Sequence, residues 1–252
     1  MTRRLFLGWA AGLVSILVLL PHISYADIYM KQKQHVDAMS MMGQSQPAQD
    51  YVSETWITPT KMMTSSEKQK IVFDLNSNTV TFANHEQKTI MTMPMDFAKM
   101  MQTQTDDMTD EEKAEFQKFM GKMMNIAITV KPTSEKKKIG SWNCQKYLQT
   151  MEMGMGTINS EIWATTDINI DQELYAKFTT AMMAQMPGVS QNAATIMKEM
   201  QKIKGVHVLT QQTTEMMGQS MGSSVELLEF KEGKAPESVF NMPSGYKTQK
   251  MF

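Results

Sequence analysis

The sequence predicts an α+β domain: one antiparallel sheet curled into an incomplete barrel, with helical inserts across its concave face. Short runs alternate apolar and polar residues between turn residues, as Ile71, Phe73 and Leu75 do, which is the pattern of half-buried strands. Twice the apolar spacing lengthens to that of an amphipathic helix. The blocks also come as strands, helices, strands, helices, strands, whereas a parallel βαβ sheet alternates element by element.

Taken in order, a long strand opens at Ile28 and leads to a turn over Gly43–Gln49. Strands follow at Tyr51–Ile57, Lys61–Ser65, Lys70–Leu75, Thr79–Ala83 and Thr89–Met93. Asn76-Ser77-Asn78 and Asn84–Gln87 supply hairpin turns, so these strands form a meander. Pro94 ends the pattern, and Phe97, Met100, Met101 and Met108 then fall on one helical face. Thr109-Asp110-Glu111-Glu112 is a capping box, and Phe116, Phe119, Met120 and Met123 behind it mark a second amphipathic helix. Strands resume at Asn125–Lys131, Ser141–Met153 and Thr157–Thr166. A further helical stretch runs from about Gln172 to Lys202 and carries Phe178 and Met182, with a break at Pro187-Gly188. Val206–Met216 and Ser224–Lys231 close the sheet, ahead of an extended tail.

Residues 1–26 have the form of an export signal: Arg3 and Arg4, an apolar run from Leu5 to Leu20, and Ser24-Tyr25-Ala26 as cleavage site. The arginine pair also fits a twin-arginine signal, but the strongly apolar run and the lack of a cofactor motif favour the ordinary secretory route. Cleavage leaves residues 27–252 as a single domain, in the periplasm or secreted.

Both arginines precede residue 27, leaving 23 lysines against 26 acids. A chain without a guanidinium lacks the main bidentate reader of phosphates and guanine edges, so no nucleic-acid partner is expected. Lys136-Lys137-Lys138 is expected at a solvated turn. Cys144 is the only cysteine; with no neighbouring base, it is expected to be a buried structural thiol. His35, His85 and His207 lack metal-ligand spacing, and the acidic run Asp106–Glu112 suits a helix start better than a calcium loop. No phosphate loop, Ser-His-Asp order or catalytic carboxylate pair is present, so neither enzyme activity nor a cofactor is expected.

Several segments together resemble a known family. They are Trp56-Ile57-Thr58, Ile71–Leu75 with its hairpin, Thr89–Pro94, the Cys144/Tyr147 strand, Glu161–Ile168, and Phe240-Asn241-Met242-Pro243-Ser244-Gly245-Tyr246. The family they resemble is the domain of unknown function 4412, similar in architecture to periplasmic lipoprotein carriers of the LolA and LolB type. The resemblance implies an incomplete barrel, lidded by helices, around an apolar cavity that accepts acyl chains. The implied partners are an apolar ligand, a lipid or a lipidated protein, with transient membrane contact. It brings no catalytic residues.

Methionine is the unusual component. Of 29 methionines only Met1 precedes residue 27, where leucine occurs just six times. Three readings stay open. Met can stand in for Leu in an ordinary core. It can line a ligand cavity that repacks at little cost, with Met100, Met101, Phe119, Met120, Met123, Phe178 and Met182 on the helices and Phe73 and Phe82 on its floor. Or the clusters Met91, Met93, Met95 and Met151, Met153, Met155 can present paired thioethers to Cu(I) or Ag(I), because i and i+2 share a strand face.

Overall fold

The structure, a computed structural model, describes residues 26–41, 44–95, 108–123, 126–154, 156–168, 189–216 and 218–249. The signal segment and the expected helical positions Phe97, Met100, Met101, Phe178 and Met182 lie outside the described residues.

Among the described residues twelve strands form one open sheet, ordered β14-β8-β7-β6-β5-β4-β1-β13-β12-β11-β10-β9. It is built from two antiparallel meanders. The first comprises β4 (Gln49–Ile57), β5 (Lys61–Ser65), β6 (Gln69–Asp74), β7 (Thr79–Asn84) and β8 (Thr89–Pro94). The second comprises β9 (Ala127–Ile139), β10 (Trp142–Met153), β11 (Gly156–Thr165), β12 (Val206–Met216) and β13 (Gln219–Glu232). Between them lies β1 (Ile28–Val36), paired with β4 on one side and β13 on the other. The turn residues act as their chemistry requires. Asn78 takes φ 53° between β6 and β7, and the Asp74 carboxylate accepts the backbone N–H groups of Asn76 and Ser77.

Three parts of the chain depart from the sequence reading. The turn expected at Gly43–Gln49 contains a small ribbon, β2 (Met39–Met41) with β3 (Gln44–Gln46). Lys136, Lys137 and Lys138 lie within β9, opposite Gln145, Cys144 and Asn143, and not at a turn. They are exposed on the last strand of the sheet, where lysines deter pairing with another chain. Lys137 also sits 4.0 Å above the Trp163 ring, a cation–π contact. The third departure is the tail, which forms a 3-10 turn (Glu237–Phe240) and then β14 (Lys247–Gln249), parallel to β8. It crosses one face of the first meander. Lys70 donates to the Asn241 carbonyl at 2.7 Å, and His85 meets the Tyr246 hydroxyl at 2.8 Å.

Two helices are described: α1 (Asp110–Met123) and α2 (Val189–Met200). The capping box is formed at α1, with Thr109 N–H donating to Glu112 at 2.8 Å and Glu112 N–H to Thr109 Oγ1 at 3.3 Å. Thr109→Ala is expected to cost about 1 kcal/mol of helix stability, read as faster hydrogen exchange confined to α1. The second helix and the turn after it cover the end of the sheet, where Ile196 and Ile203 pack on Ile128, Val130, Tyr147 and Ile162. Its polar side chains also serve the free edge. Glu199 accepts the Val130 N–H at 2.8 Å, and Asn192 donates to the Ile126 carbonyl at 3.4 Å. An unpaired edge is thereby closed by side chains instead of another strand. Cys144 is buried, and burial raises its pKa, as a structural thiol requires.

Candidate functional site

Directly opposed residues in an antiparallel pair point to the same side of the sheet. Followed strand by strand, this register carries one apolar stripe across six strands. Met93 lies opposite Val80, Val80 opposite Phe73, Phe73 opposite Met62, Met62 opposite Ile57, and Ile57 opposite Ile28. Five interstrand steps make the stripe about 24 Å long. A parallel line runs Met91, Phe82, Ile71, Thr64, Thr55, Met30 and turns polar midway. Phe73 and Phe82, expected on the floor of a cavity, therefore share one face, with Ile71 and Val80. The C-terminal tail covers the other face, whereas α2 packs on this one, through Ile162 in register with Thr210 and Val225; it is termed the inner face.

Ile28 and Ile57 are almost fully buried at one end of the stripe, with Met30, Met62, Phe73, Leu75 and Phe230 packed against them. Nearer β8, Phe73, Phe82, Met91 and Met93 remain half-buried.

At the Ile28 end the inner face hollows into a cavity of about 230 Å³ between β1, β12 and β13. Ile28, Met30, Val206, Val225 and Phe230 form its apolar wall. Its other lining side chains are Gln32, Thr210 and His207, with Gly205 completing the rim. No described residue hydrogen-bonds the side chain of Gln32, Thr210 or His207. His207 keeps some accessible surface because its ring looks onto the cavity, yet protein surrounds it. Desolvation alone pushes its pKa down to about 4, so the imidazole is neutral at pH 7.

A bulge produces this geometry. Leu209 pairs with Trp163 but His207 pairs with Ala164, leaving Val208 as the extra residue. Bulges bend a strand and re-aim its side chains. A second irregularity, in β1/β13 between Lys31 and Gln32, shifts the opposite wall. Sequence reasoning missed Gln32, Thr210 and His207 as site residues. His207 lies in the alternating run Val206-His207-Val208 and passes for an ordinary strand residue, and nothing local marks the bulge.

The remaining expected site residues are distributed as follows. Phe119, Met120 and Met123 are on α1, their side chains outside the described set, as is Met155. Met91 and Met93 share the inner face but oppose Phe82 and Val80, and Met151 packs into the core under α2. Strands β8 and β10 stand second and eleventh in the sheet order, so no arrangement among the described residues unites the two thioether clusters. His35 sits elsewhere, 3.1 Å from both Asp37 and Asp50, whose hydrogen bonds raise its pKa.

No protein-family model and no curated protein matches the sequence. Among solved structures, the chain is similar to a putative outer membrane lipoprotein-sorting protein domain from Vibrio parahaemolyticus. That alignment has 5% identity and a TM-score of 0.32, covering 86% of this chain and 89% of the other. It is also similar to a DUF1329 family protein from Desulfovibrio piger ATCC 29098, at 7% identity and a TM-score of 0.33, covering 87% and 91%.

Proposed function

We propose that this protein is an exported, non-catalytic binder of acyl chains, holding its ligand along the inner face. The observation that carries this reading is the stripe from Met93 to Ile28 and its continuation into the cavity at Phe230. A line of apolar side chains crossing six strands is more than a one-layer core needs, and its β8 end stays half-open. The 230 Å³ cavity is smaller than the roughly 300–1,000 Å³ of a pocket that swallows a whole ligand. It suits one end of a chain whose remainder lies along the stripe. Flexible thioethers beside Phe73 and Phe82 adapt to such a ligand at low cost.

On this reading the chain belongs with the family it resembles, works in the periplasm after cleavage at Ala26, and takes its cargo from a lipid or a lipidated protein. Met91 and Met93 lie opposite Phe82 and Val80 on β7, hydrocarbon neighbours that favour acyl chains over Cu(I) or Ag(I).

Mass spectrometry of organic extracts from the purified protein should find bound lipid, and a fluorescent fatty acid should be taken up. Phe73→Asp is expected to weaken uptake at least tenfold, because it puts a charge midway along the stripe. Thr81→Asp, on the opposite face of the neighbouring strand, should leave uptake unchanged. No extracted lipid together with no uptake sinks the reading.

A further inference from the structure

We propose that the cavity end of the site recognises a carboxyl group, so that the ligand is a free fatty acid bound with one proton taken from solution. This rests on the acyl-chain reading above and names the ligand's polar end.

The argument starts from the polar inventory. Three side chains facing an otherwise apolar cavity, Gln32, Thr210 and His207, lack hydrogen-bond partners among the described residues. Such groups are costly to leave unmade in the dry complex. Neutral imidazole offers one acceptor nitrogen, Thr210 a hydroxyl, and Gln32 an amide with two donors. A carboxylic acid presents one O–H donor and two acceptor oxygens, enough for all three groups at once. A primary alcohol has only a single oxygen to share among them. A phosphate headgroup is disfavoured because no lysine among the described residues lines the cavity and a permanent charge there would be unpaired.

The proton count follows. Above about pH 6, a free fatty acid is ionised and His207 is neutral. Among the described residues no other titratable group lines the cavity: β1 supplies Ile28, Met30 and Gln32, β13 supplies Val225 and Phe230, and β12 supplies Val206 and Thr210. A bare carboxylate beside a neutral imidazole would be an unpaired buried charge. Binding therefore draws one proton from solvent into the bond between a carboxyl oxygen and the ring nitrogen. The count is the same whether that proton sits nearer oxygen or nitrogen. The hydrocarbon tail then leaves past Ile28 and Phe230, and the flexible Met30 and Met62 packed over Ile28 and Ile57 shift to admit it towards Phe73.

The test is isothermal titration of the intact mature protein with decanoic acid and with methyl decanoate. Buffers of different ionisation enthalpy are used between pH 6.5 and 8.5. Decanoate is expected to bind with uptake of about one proton and to lose about tenfold in affinity per pH unit. The ester should bind without proton uptake and independently of pH. His207→Phe should weaken decanoate at least tenfold more than the ester, because the ring nitrogen that shares the proton is gone, and Thr210→Val should weaken decanoate but retain the uptake. Decanoate binding without proton uptake, or decanoate affinity undiminished relative to the ester in His207→Phe, overturns the proposal. Ester binding without decanoate binding overturns the carboxyl assignment and leaves the acyl-chain reading standing. Failure of both ligands overturns both. The wild-type titration alone decides the proton count, so a variant that fails to fold does not rescue the proposal.

Discussion

Gly205→Ala is expected to lower the unfolding free energy by at least about 3 kcal/mol and the melting temperature by about 6–12 °C. Gly205 has φ +87°, and a Cβ built there would stand 1.8 Å from the Thr165 carbonyl oxygen and 2.5 Å from its carbon. Both atoms are backbone at the end of β11, so no side chain can swing away, and the start of β12 has to move. Because Gly205 borders the cavity, ligand uptake should fall with stability. Two other glycines separate the causes. Gly218 also has a positive φ, +79°, but open space around it, so Gly218→Ala should show only the backbone strain, about 1 kcal/mol. Gly156 has no positive φ, yet its Cβ would fall 2.1 Å from the Glu215 carbonyl oxygen, so Gly156→Ala should show the clash alone. Thermal unfolding of the three variants measures this. A Gly205→Ala protein as stable as Gly218→Ala would mean that β11 and β12 do not approach so closely.

The second large effect is acid sensitivity from His207. Its folded pKa of about 4 lies below the ordinary histidine value of about 6.5. The unfolded chain therefore binds the proton first as pH falls. The sign follows directly. Above pH 6.5 the residue costs nothing; between 6.5 and 4 stability drops by about 1.4 kcal/mol per unit; below 4 the loss levels off at about 3 kcal/mol. His35 works the other way, because hydrogen bonds to Asp50 and Asp37 raise its pKa. Its contribution is present below pH 6.5 and fades as pH rises through the folded value. Denaturant unfolding of wild type and His207→Phe from pH 8 to 4 isolates the His207 part, since carboxylates titrate alike in both. Wild type should lose about 3 kcal/mol more than the variant over that range. Equal losses would mean that the ring is solvated in the folded protein.

A bound fatty acid would change this profile. If the proton at His207 is shared with a carboxyl group, the loaded protein resists acid better than the empty one. The two pH experiments therefore address one cavity through independent readouts, stability and proton uptake.

Much of the architecture was legible in the chain because it is encoded locally. The alternation around Phe73, the Asx chemistry of Asp74 to Asn78 and the reciprocal Thr109/Glu112 box involve residues a few positions apart, and each forms as its pattern implies. A resemblance built on such segments also pointed to an open sheet, and an open sheet with helices is what forms. The lysines at 136–138 were misplaced because a polar run carries no period. Their strand assignment comes from pairing with β10, a partner already held by β11.

What the sequence determined by itself is therefore most of the strands and turns, one cap and the apolar character of Phe73, Val80 and Phe82. The tertiary structure decided the site. Ile28, Ile57, Met62, Phe73, Val80 and Met93 are scattered over the first meander and β1, and only the register of five strand pairs sets them in one line. The cavity joins β1 to β12 and β13, which are distant in sequence and brought together because β1 inserts between the meanders. Its polar end depends on the extra residue Val208 in β12. A single added residue reverses the side to which the preceding side chains point, and nothing in Val206-His207-Val208 says where that reversal falls. Pairing energy summed over whole strands decides it, and that sum exists only once the sheet has formed.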